Sequence, residues 1–218
     1  MKISVNNLTL YYEQTGNGSP VILLHGNGED CHIFDKLVDK LRAHYTVYAI
    51  DSRNHGRSTQ TADFSYLTMA NDIVAFVKSL KLEKPSVVGF SDGAIIAVMI
   101  ALQDKDIFDK LVLLGINLKP SDFKKENLDW LKNEYAKTGD PLLKLMLEEP
   151  NIELESLKNV SNKTLVVAAE NDLFEDDLFK KIASTMPHAS LQIMKGYDHA
   201  GYVVEQDVLY PYLKEFLG

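Results

Sequence analysis

The sequence predicts an α/β protein with a doubly wound, mostly parallel central sheet. Short apolar runs such as 21–24 are continuous rather than alternating, which is typical of strands covered by helices on both faces. Between these runs lie segments whose apolar residues recur at helical spacing, as at Met69, Ile73, Phe76 and Val77. Because the two segment types alternate along a chain of 218 residues, we expect one domain of this class.

The first half of the chain gives its elements in a regular order. Residues 3–5 and 8–14 predict an antiparallel hairpin at the sheet edge, and a turn at 16–20 leads into the strand 21–24. Next come a helical stripe over 33–41, the strand 45–50 and a helix that begins near Leu67. Pro85 closes that helix before the next apolar strand, which runs to Ser91.

The second half continues the alternation with one interruption. We expect a helix over 94–102, then strands over 111–114 and 164–169. After them come a helix around 176–186, a strand over 190–194 and a terminal helix that carries Val208, Leu209, Tyr212, Leu213 and Phe216. The interval 118–160 differs in character, because its helical stripes are broken by Gly139, Asp140 and Pro141. We expect this interval to be an insertion above the edge of the sheet.

Composition excludes several classes of function. A formal charge of −8 and the lack of a Lys/Arg cluster argue against a nucleic-acid partner. The single cysteine, Cys31, rules out an internal disulfide, and no Cys/His spacing is typical of a metal site. The N-terminus turns polar too early for a signal peptide, and no apolar run approaches the roughly 20 residues of a membrane span. We therefore expect a cytoplasmic protein without a metal or a membrane partner.

Ser91 has the most informative surroundings in the chain. It lies between a predicted strand and a predicted helix, with Gly89 and Gly93 two residues to either side. A sharp turn from strand to helix needs small residues at those two positions so that the backbones can approach closely. The pattern G-x-S-x-G in this setting holds a serine oxygen at the N-terminus of a helix, where negative charge is favoured.

With this motif the chain resembles the α/β-hydrolase superfamily. The resemblance implies an α/β-hydrolase core over residues 1–117 and 161–218, with a small helical lid over 118–160. It also implies a nucleophile, an acid and a histidine that follow one another in that chain order. Residues 51–58 resemble the D-x-R-G-H-G-x-S segment of the superfamily, with Asn54 in place of the first glycine, and we assign that loop to the scaffold.

A serine hydroxyl becomes a good nucleophile only when a histidine, itself oriented by a third group, removes its proton. In a parallel sheet the loops at the carboxyl ends of the strands share one rim, so the partners of Ser91 should directly follow strands. His199 follows the last strand, whereas His188 precedes it. His25 and His55 also follow strands, but each precedes a glycine in a loop that is structural in the superfamily.

Asp172 is the preferred acid, because it lies just beyond the strand 164–169. Glu170 is its nearest rival. Some members of the superfamily carry the acid one strand earlier, but residues 115–118 contain no carboxylate. The resulting order Ser91, Asp172, His199 matches the order of the superfamily and neither of the two other common serine-hydrolase orders.

A tetrahedral oxyanion needs two positioned donors, which we expect to be the backbone N–H groups of Asn27 and Asp92. The carboxylate of Asp92 would oppose that oxyanion unless it points away or is compensated. Two interpretations of Asp92 remain open. It is a first-turn acid stabilised by the helix dipole, which we favour, or it accepts a substrate ammonium group such as that of an amino-acid ester.

The sequence thus predicts a serine esterase that needs no cofactor and cleaves a small carboxylic ester or thioester through an acyl-enzyme. The alternatives are a C–C bond hydrolase or lyase using the same three residues, and a ligand-binding protein that keeps the fold without turnover. A dinucleotide-binding protein is disfavoured. Gly26, Gly28 and Asp51 fit its pattern, but Cys31 stands where the third glycine belongs.

Overall fold

The computed structural model describes residues 1–218, and its eight strands form one sheet. The strands are β1 (Lys2–Val5), β2 (Leu8–Thr15), β3 (Ser19–Leu24), β4 (Tyr45–Ile50), β5 (Ser86–Phe90), β6 (Lys110–Leu114), β7 (Lys163–Asn171) and β8 (Ala189–Asp198). Their order across the sheet is β1-β2-β4-β3-β5-β6-β7-β8. Only β1 with β2 and β2 with β4 pair antiparallel, and the other pairs are parallel. The predicted fold class, a mostly parallel α/β sheet, is confirmed.

Seven α-helices connect or follow the strands. They are α1 (Asp35–Leu41), α2 (Tyr66–Ser79), α3 (Asp92–Gln103), α4 (Lys125–Thr138), α5 (Pro141–Glu148), α6 (Leu178–Thr185) and α7 (Tyr210–Leu217). Local signals set several of their ends: the side chain of Ser65 caps α2, and that of Asp140 caps α5 just before Pro141. None of these helices has both the length and the apolar character that crossing a membrane would require.

The sheet separates two apolar clusters. The larger one includes Ile73 of α2 and Ile95 of α3, and the smaller one includes Leu37 of α1 and Leu213 of α7. Successive strand residues point to opposite faces, so Val87 and its neighbour Val88 in β5 enter different clusters. This double burial is the physical reason for the continuous apolar strands in the sequence.

The segment between β6 and β7 contains α4, α5 and two short 3₁₀ helices, Pro120–Asp122 and Leu154–Asn159. The helix break falls at Gly139, which ends α4 in the left-handed region with φ 64°. Leu131 of α4 and Leu145 of α5 are buried in the larger cluster, so both helices pack onto the core.

Three element boundaries differ from the sequence-based expectations. Strand β7 continues to Asn171 and β8 continues to Asp198, each beyond the apolar run that predicted it. The extension of β8 is polar because β8 is the edge strand of the sheet, where one side of the backbone is exposed. The terminal helix α7 begins at Tyr210, after Val208 and Leu209. As a result Asp172 and His199 each directly follow the last residue of a strand.

Candidate active site

Ser91 occupies the turn between β5 and α3 in a strained conformation. Its φ is 51° and its ψ is −112°, a region that residues with a side chain rarely adopt. A Cβ atom on Gly89 would lie 2.3 Å from the carbonyl oxygen of Gly93, and one on Gly93 would lie 2.1 Å from the carbonyl oxygen of Leu24. The turn can close this tightly only because both flanking positions are glycine.

His199 and Asp172 form a hydrogen-bonded pair at the same edge of the sheet. The Nδ1 atom of His199 lies 2.7 Å from Oδ1 of Asp172, whose side chain is only 3% exposed. Backbone N–H groups of Ala169 and Leu173 donate to the two oxygens of this carboxylate at 3.0 and 2.8 Å. Because an ionised carboxylate only accepts, Nδ1 carries the proton and Nε2 keeps its lone pair.

The imidazole of His199 is positioned against the backbone next to Ser91. Its Cε1 atom is 2.6 Å from the point where a Cβ of Gly115 would lie. The residue before Gly115 is Leu114, whose carbonyl oxygen accepts the backbone N–H of Ser91 at 2.8 Å. The rings of Phe90 and Phe174 flank the imidazole, with centroids 5.0 and 5.4 Å away. The Ser91 hydroxyl forms no hydrogen bond with His199 in this structure, and such bonds often tighten only when substrate binds.

Two backbone donors near Ser91 are unused. Asn27 lies in the loop after β3, and Asp92 is the first residue of α3; neither backbone N–H donates to another group of the protein. A helix leaves its first N–H groups without intrahelical partners, which accounts for the N–H of Asp92. These two N–H groups are the donors that the sequence predicts for an oxyanion.

The carboxylate of Asp92 is buried and fully engaged. The Tyr66 hydroxyl donates to one oxygen at 2.7 Å, and the side-chain amide of Asn27 donates to the other at 3.0 Å. The Asn27 amide also donates to the carbonyl oxygen of Leu142 in α5, at 3.3 Å. Burial raises the pKa of Asp92, although both hydrogen bonds oppose that shift. Since both oxygens already accept hydrogen bonds, this network favours a positioning role for Asp92 over the binding of a substrate ammonium.

Glu29 is a further acidic residue at this site, and no motif in the sequence marks it. Its Oε2 accepts the backbone N–H of Gly26 at 2.9 Å, and its own N–H donates to the carbonyl oxygen of Gly26 at 3.4 Å. These two bonds close the turn that carries Asn27. Burial raises the pKa of Glu29 to about 7, while the Gly26 N–H and the nearby His199 act in the opposite direction.

The raised pKa of Glu29 predicts a pH-dependent stability. Between its ordinary value of 4.5 and about 7, the folded state binds a proton that the unfolded state has released, so stability falls as pH rises through this interval. Glu29→Gln stays neutral. Relative to the wild type it should gain about 2 kcal/mol in the free energy of unfolding between pH 4.5 and pH 7, and little more above. Urea unfolding of both proteins at several pH values measures this gain, and a difference that does not vary with pH would contradict it.

Ser91 faces a narrow crevice, here called the cavity. The lining residues are Tyr66, Ser91, Asp92, Asn117, Phe123, Met146 and Glu149. Glu149, which follows α5, also accepts the backbone N–H of Tyr66 at 3.0 Å and so links this segment to the start of α2. Two of the lining side chains are acidic and none is basic.

The other polar residues that follow strands form hydrogen bonds within and between the loops. His25 donates from Nδ1 to the carbonyl oxygen of Gly26 at 2.7 Å and accepts the N–H of Ser52 at 3.0 Å, and burial lowers the pKa of His25 to about 4. The Nδ1 atom of His55 donates to the carbonyl oxygen of Arg53 at 2.9 Å. Asp51 accepts two backbone N–H groups, so its carboxylate is not free to bind a ribose.

Comparison with known proteins gives one matching family model and several curated relatives. A family model described as alpha/beta hydrolase fold matches residues 19–149. Human serine hydrolase BPHL is 35% identical over 130 residues, which cover 56% of this chain and 44% of BPHL. The AB hydrolase superfamily protein YisY of Bacillus subtilis is 34% identical over 113 residues, covering 50% of this chain and 42% of YisY. The matched segments therefore span less than half the length of these relatives.

Solved structures match over nearly the whole chain at low identity. A meta-cleavage product hydrolase from Pseudomonas fluorescens superposes with a TM-score of 0.83 at 20% identity, covering 100% of this chain and 97% of the other. A thermophilic esterase from Thermogutta terrifontis gives a TM-score of 0.83 at 19% identity, with the same coverage of 100% and 97%. At these identities the likeness establishes the fold alone.

Proposed function

Because this chain belongs to the α/β-hydrolase family, we propose that it is a serine hydrolase that cleaves small carboxylic esters or thioesters through an acyl-enzyme. The observation that carries the proposal is the meeting of three elements at one edge of the sheet. Ser91 stands at the strained turn after β5, and the hydrogen-bonded pair of Asp172 and His199 follows β7 and β8. The relative named as a serine hydrolase supports the same reaction class.

In the proposed acylation step, Oγ of Ser91 attacks the carbonyl carbon of the substrate while Nε2 of His199 accepts the hydroxyl proton. Asp172 keeps its charge throughout, and it stabilises the imidazolium across the 2.7 Å contact with Nδ1. When the tetrahedral intermediate collapses, Nε2 returns the proton to the departing alcohol or thiol. A water molecule then repeats the sequence on the acyl group, and the acid product leaves Ser91 free.

The oxyanion of both tetrahedral intermediates would be held by the backbone N–H groups of Asn27 and Asp92. Both donors are unused, and the loop that carries Asn27 is fixed by its side-chain bond to Asp92. Removing one donor of this kind typically costs on the order of 10² to 10³ in rate. Preorganisation matters here because donors that are already aimed need not reorient as the charge develops.

We further propose that the segment 118–160 is a small lid that limits substrate size. Phe123 and Met146 of this segment line the narrow cavity beside Ser91, and the lid contacts the oxyanion loop through Leu142 and Asn27. A cavity this narrow suits a short acyl group better than a long one. Trp130, by contrast, is 61% exposed on α4 and lines no part of this cavity.

A series of p-nitrophenyl esters with acyl chains from acetyl to dodecanoyl tests the proposed function. We expect kcat/KM to be highest for the short chains and at least about tenfold lower for the longest, because the cavity excludes added methylenes. A rapid burst of one p-nitrophenolate per active site should precede the steady state if the acyl-enzyme accumulates. Hydrolysis of none of these esters would contradict the proposal.

The same assay separates the alternatives. A C–C bond hydrolase or lyase would give little ester turnover relative to its carbon substrate, and a ligand-binding protein would give neither turnover nor burst. Matched esters with and without an α-amino group test Asp92 directly. Because its carboxylate is already engaged by Tyr66 and Asn27, we expect Asp92→Asn to lower both rates by similar factors.

A further inference from the structure

Glu29 lies beside the nucleophile but has no part in the proposed acyl transfer. Its Oε2 is 2.8 Å from the point where a Cβ of Gly26 would lie, and Cβ of Ser91 is 3.2 Å from that same point. The carboxyl group of Glu29 therefore lies close to Ser91, next to Gly26 in the loop that also carries Asn27. The bond from the Gly26 N–H at 2.9 Å fixes its orientation.

The charges around this position are almost all negative. Asp30 is the next residue in the loop, Asp92 at the start of α3 also acts on the Glu29 carboxyl group, and Glu149 lines the cavity beside Ser91. Among the side chains that act most strongly on the Glu29 carboxyl group, His199 is the basic one. No lysine or arginine lines the cavity, so an anionic substrate would meet no compensating cation there.

We infer that Glu29 is a specificity-determining residue of this site: its carboxylate, fixed beside Ser91, disfavours substrates that carry a negative charge near the scissile carbonyl. The inference rests on the proposed ester hydrolysis and names a class of substrate that the site rejects. Repulsion between like charges at partly buried positions is strong, because little water lies between them to screen it. Neutral and cationic substrates do not meet this repulsion.

Titration of Glu29 makes this selection depend on pH. Burial raises the pKa of Glu29 to about 7, with Asp92 and Asp30 acting in the same direction and His199 and the Gly26 N–H opposing it. Below that pH the group is a neutral acid, and above it the group is a carboxylate. The preference for neutral over anionic esters should therefore increase as pH rises through about 7.

The experiment uses pairs of p-nitrophenyl esters that differ only at the end of a short acyl chain, which is either a sulfonate or a methyl sulfone. A sulfonate stays ionised throughout, so any change with pH comes from the protein. Both esters form the same oxyanion and use the same histidine, so the ratio of their kcat/KM values cancels the pH dependence of the chemistry. A second pair carries the same two groups on an aliphatic alcohol portion.

In the wild type, the neutral-to-anionic ratio should rise by about tenfold between about pH 6 and pH 8 for at least one of the pairs. In Glu29→Gln the ratio should stay constant, because glutamine can still accept the Gly26 N–H but carries no charge. Asp30→Asn is the matched control on the same loop. Its amide oxygen can still cap the N–H of His32. The ratio should rise by as much as in the wild type, at a slightly lower pH because the Asp30 charge helps to raise the pKa of Glu29.

A ratio that stays constant with pH in the wild type would overturn the inference, and this readout needs no variant to fold. An equal rise in the wild type and in Glu29→Gln would overturn it as well. Failure of the proposed function looks different, because then neither member of a pair is hydrolysed. If the neutral esters turn over while the ratio does not titrate, the ester hydrolase stands and only the role of Glu29 is lost.

Discussion

Replacing Ser91 by alanine should lower kcat/KM for short p-nitrophenyl esters by at least about 10⁴-fold. The turn after β5 carries no second hydroxyl, so no neighbouring residue of the turn can replace the lost nucleophile. The residual activity would reflect the oxyanion donors and binding alone. Steady-state kinetics at saturating and subsaturating ester measures the loss.

The control for this variant is Ser79→Ala. Ser79 is an exposed serine in the last turn of α2, away from the edge of the sheet that carries Ser91. We expect its kcat/KM to stay within about twofold of the wild type, since surface substitutions rarely alter packing. If Ser91→Ala kept more than about a hundredth of the wild-type activity while Ser79→Ala was unchanged, Ser91 would not be the nucleophile.

Asp172→Asn should give the second largest effect, a loss of about 10³ to 10⁴ in kcat. An amide at this position can accept the proton of Nδ1 only weakly, or it turns its NH₂ group toward the imidazole and stabilises the wrong tautomer. The stabilisation of the imidazolium is lost in either case. Because substrate does not contact Asp172 in the proposed mechanism, KM should change much less than kcat.

Glu170→Gln is the matched control, because Glu170 was the rival candidate for the acid. Its carboxylate is exposed and accepts the backbone N–H of Gly196 at 2.8 Å, a bond that glutamine can keep. We expect less than about a threefold change in kcat. A large loss in Glu170→Gln together with a small one in Asp172→Asn would reverse the two assignments.

The sequence predicts the candidate site where one topological rule applies. The carboxyl ends of parallel strands lie at one edge of the sheet, so the sequence alone predicts that the residues after β5, β7 and β8 lie near one another. That rule admits Ser91, Asp172 and His199, and in the structure Asp172 and His199 are in contact. It also admits His25 and His55, which only the resemblance to the superfamily assigns to the scaffold. It also excludes His188, whose carbonyl oxygen accepts the N–H of Thr164 at the opposite end of β7.

The residues that the sequence did not reveal reach the site through tertiary packing. Tyr66 belongs to the first turn of α2, and its hydroxyl crosses to Asp92, which is distant in the chain. Glu149 reaches the cavity because the segment after α5 meets the start of α2, where Glu149 accepts the N–H of Tyr66. In the sequence, Glu29 looks like an ordinary polar loop residue. Only the structure shows that its carboxyl group is largely buried and accepts the N–H of Gly26. None of these contacts leaves a periodicity or a motif in the chain.

The most direct test of the account is the site of reaction with a fluorophosphonate probe, mapped by mass spectrometry of tryptic peptides. Because His199, oriented by Asp172, activates Ser91 in the proposed mechanism, the wild type should carry one phosphonyl group, on Ser91. His199→Ala should carry almost none after the same exposure. An adduct on another residue, no adduct on the wild type, or equal labelling of Ser91 in both proteins would contradict the account.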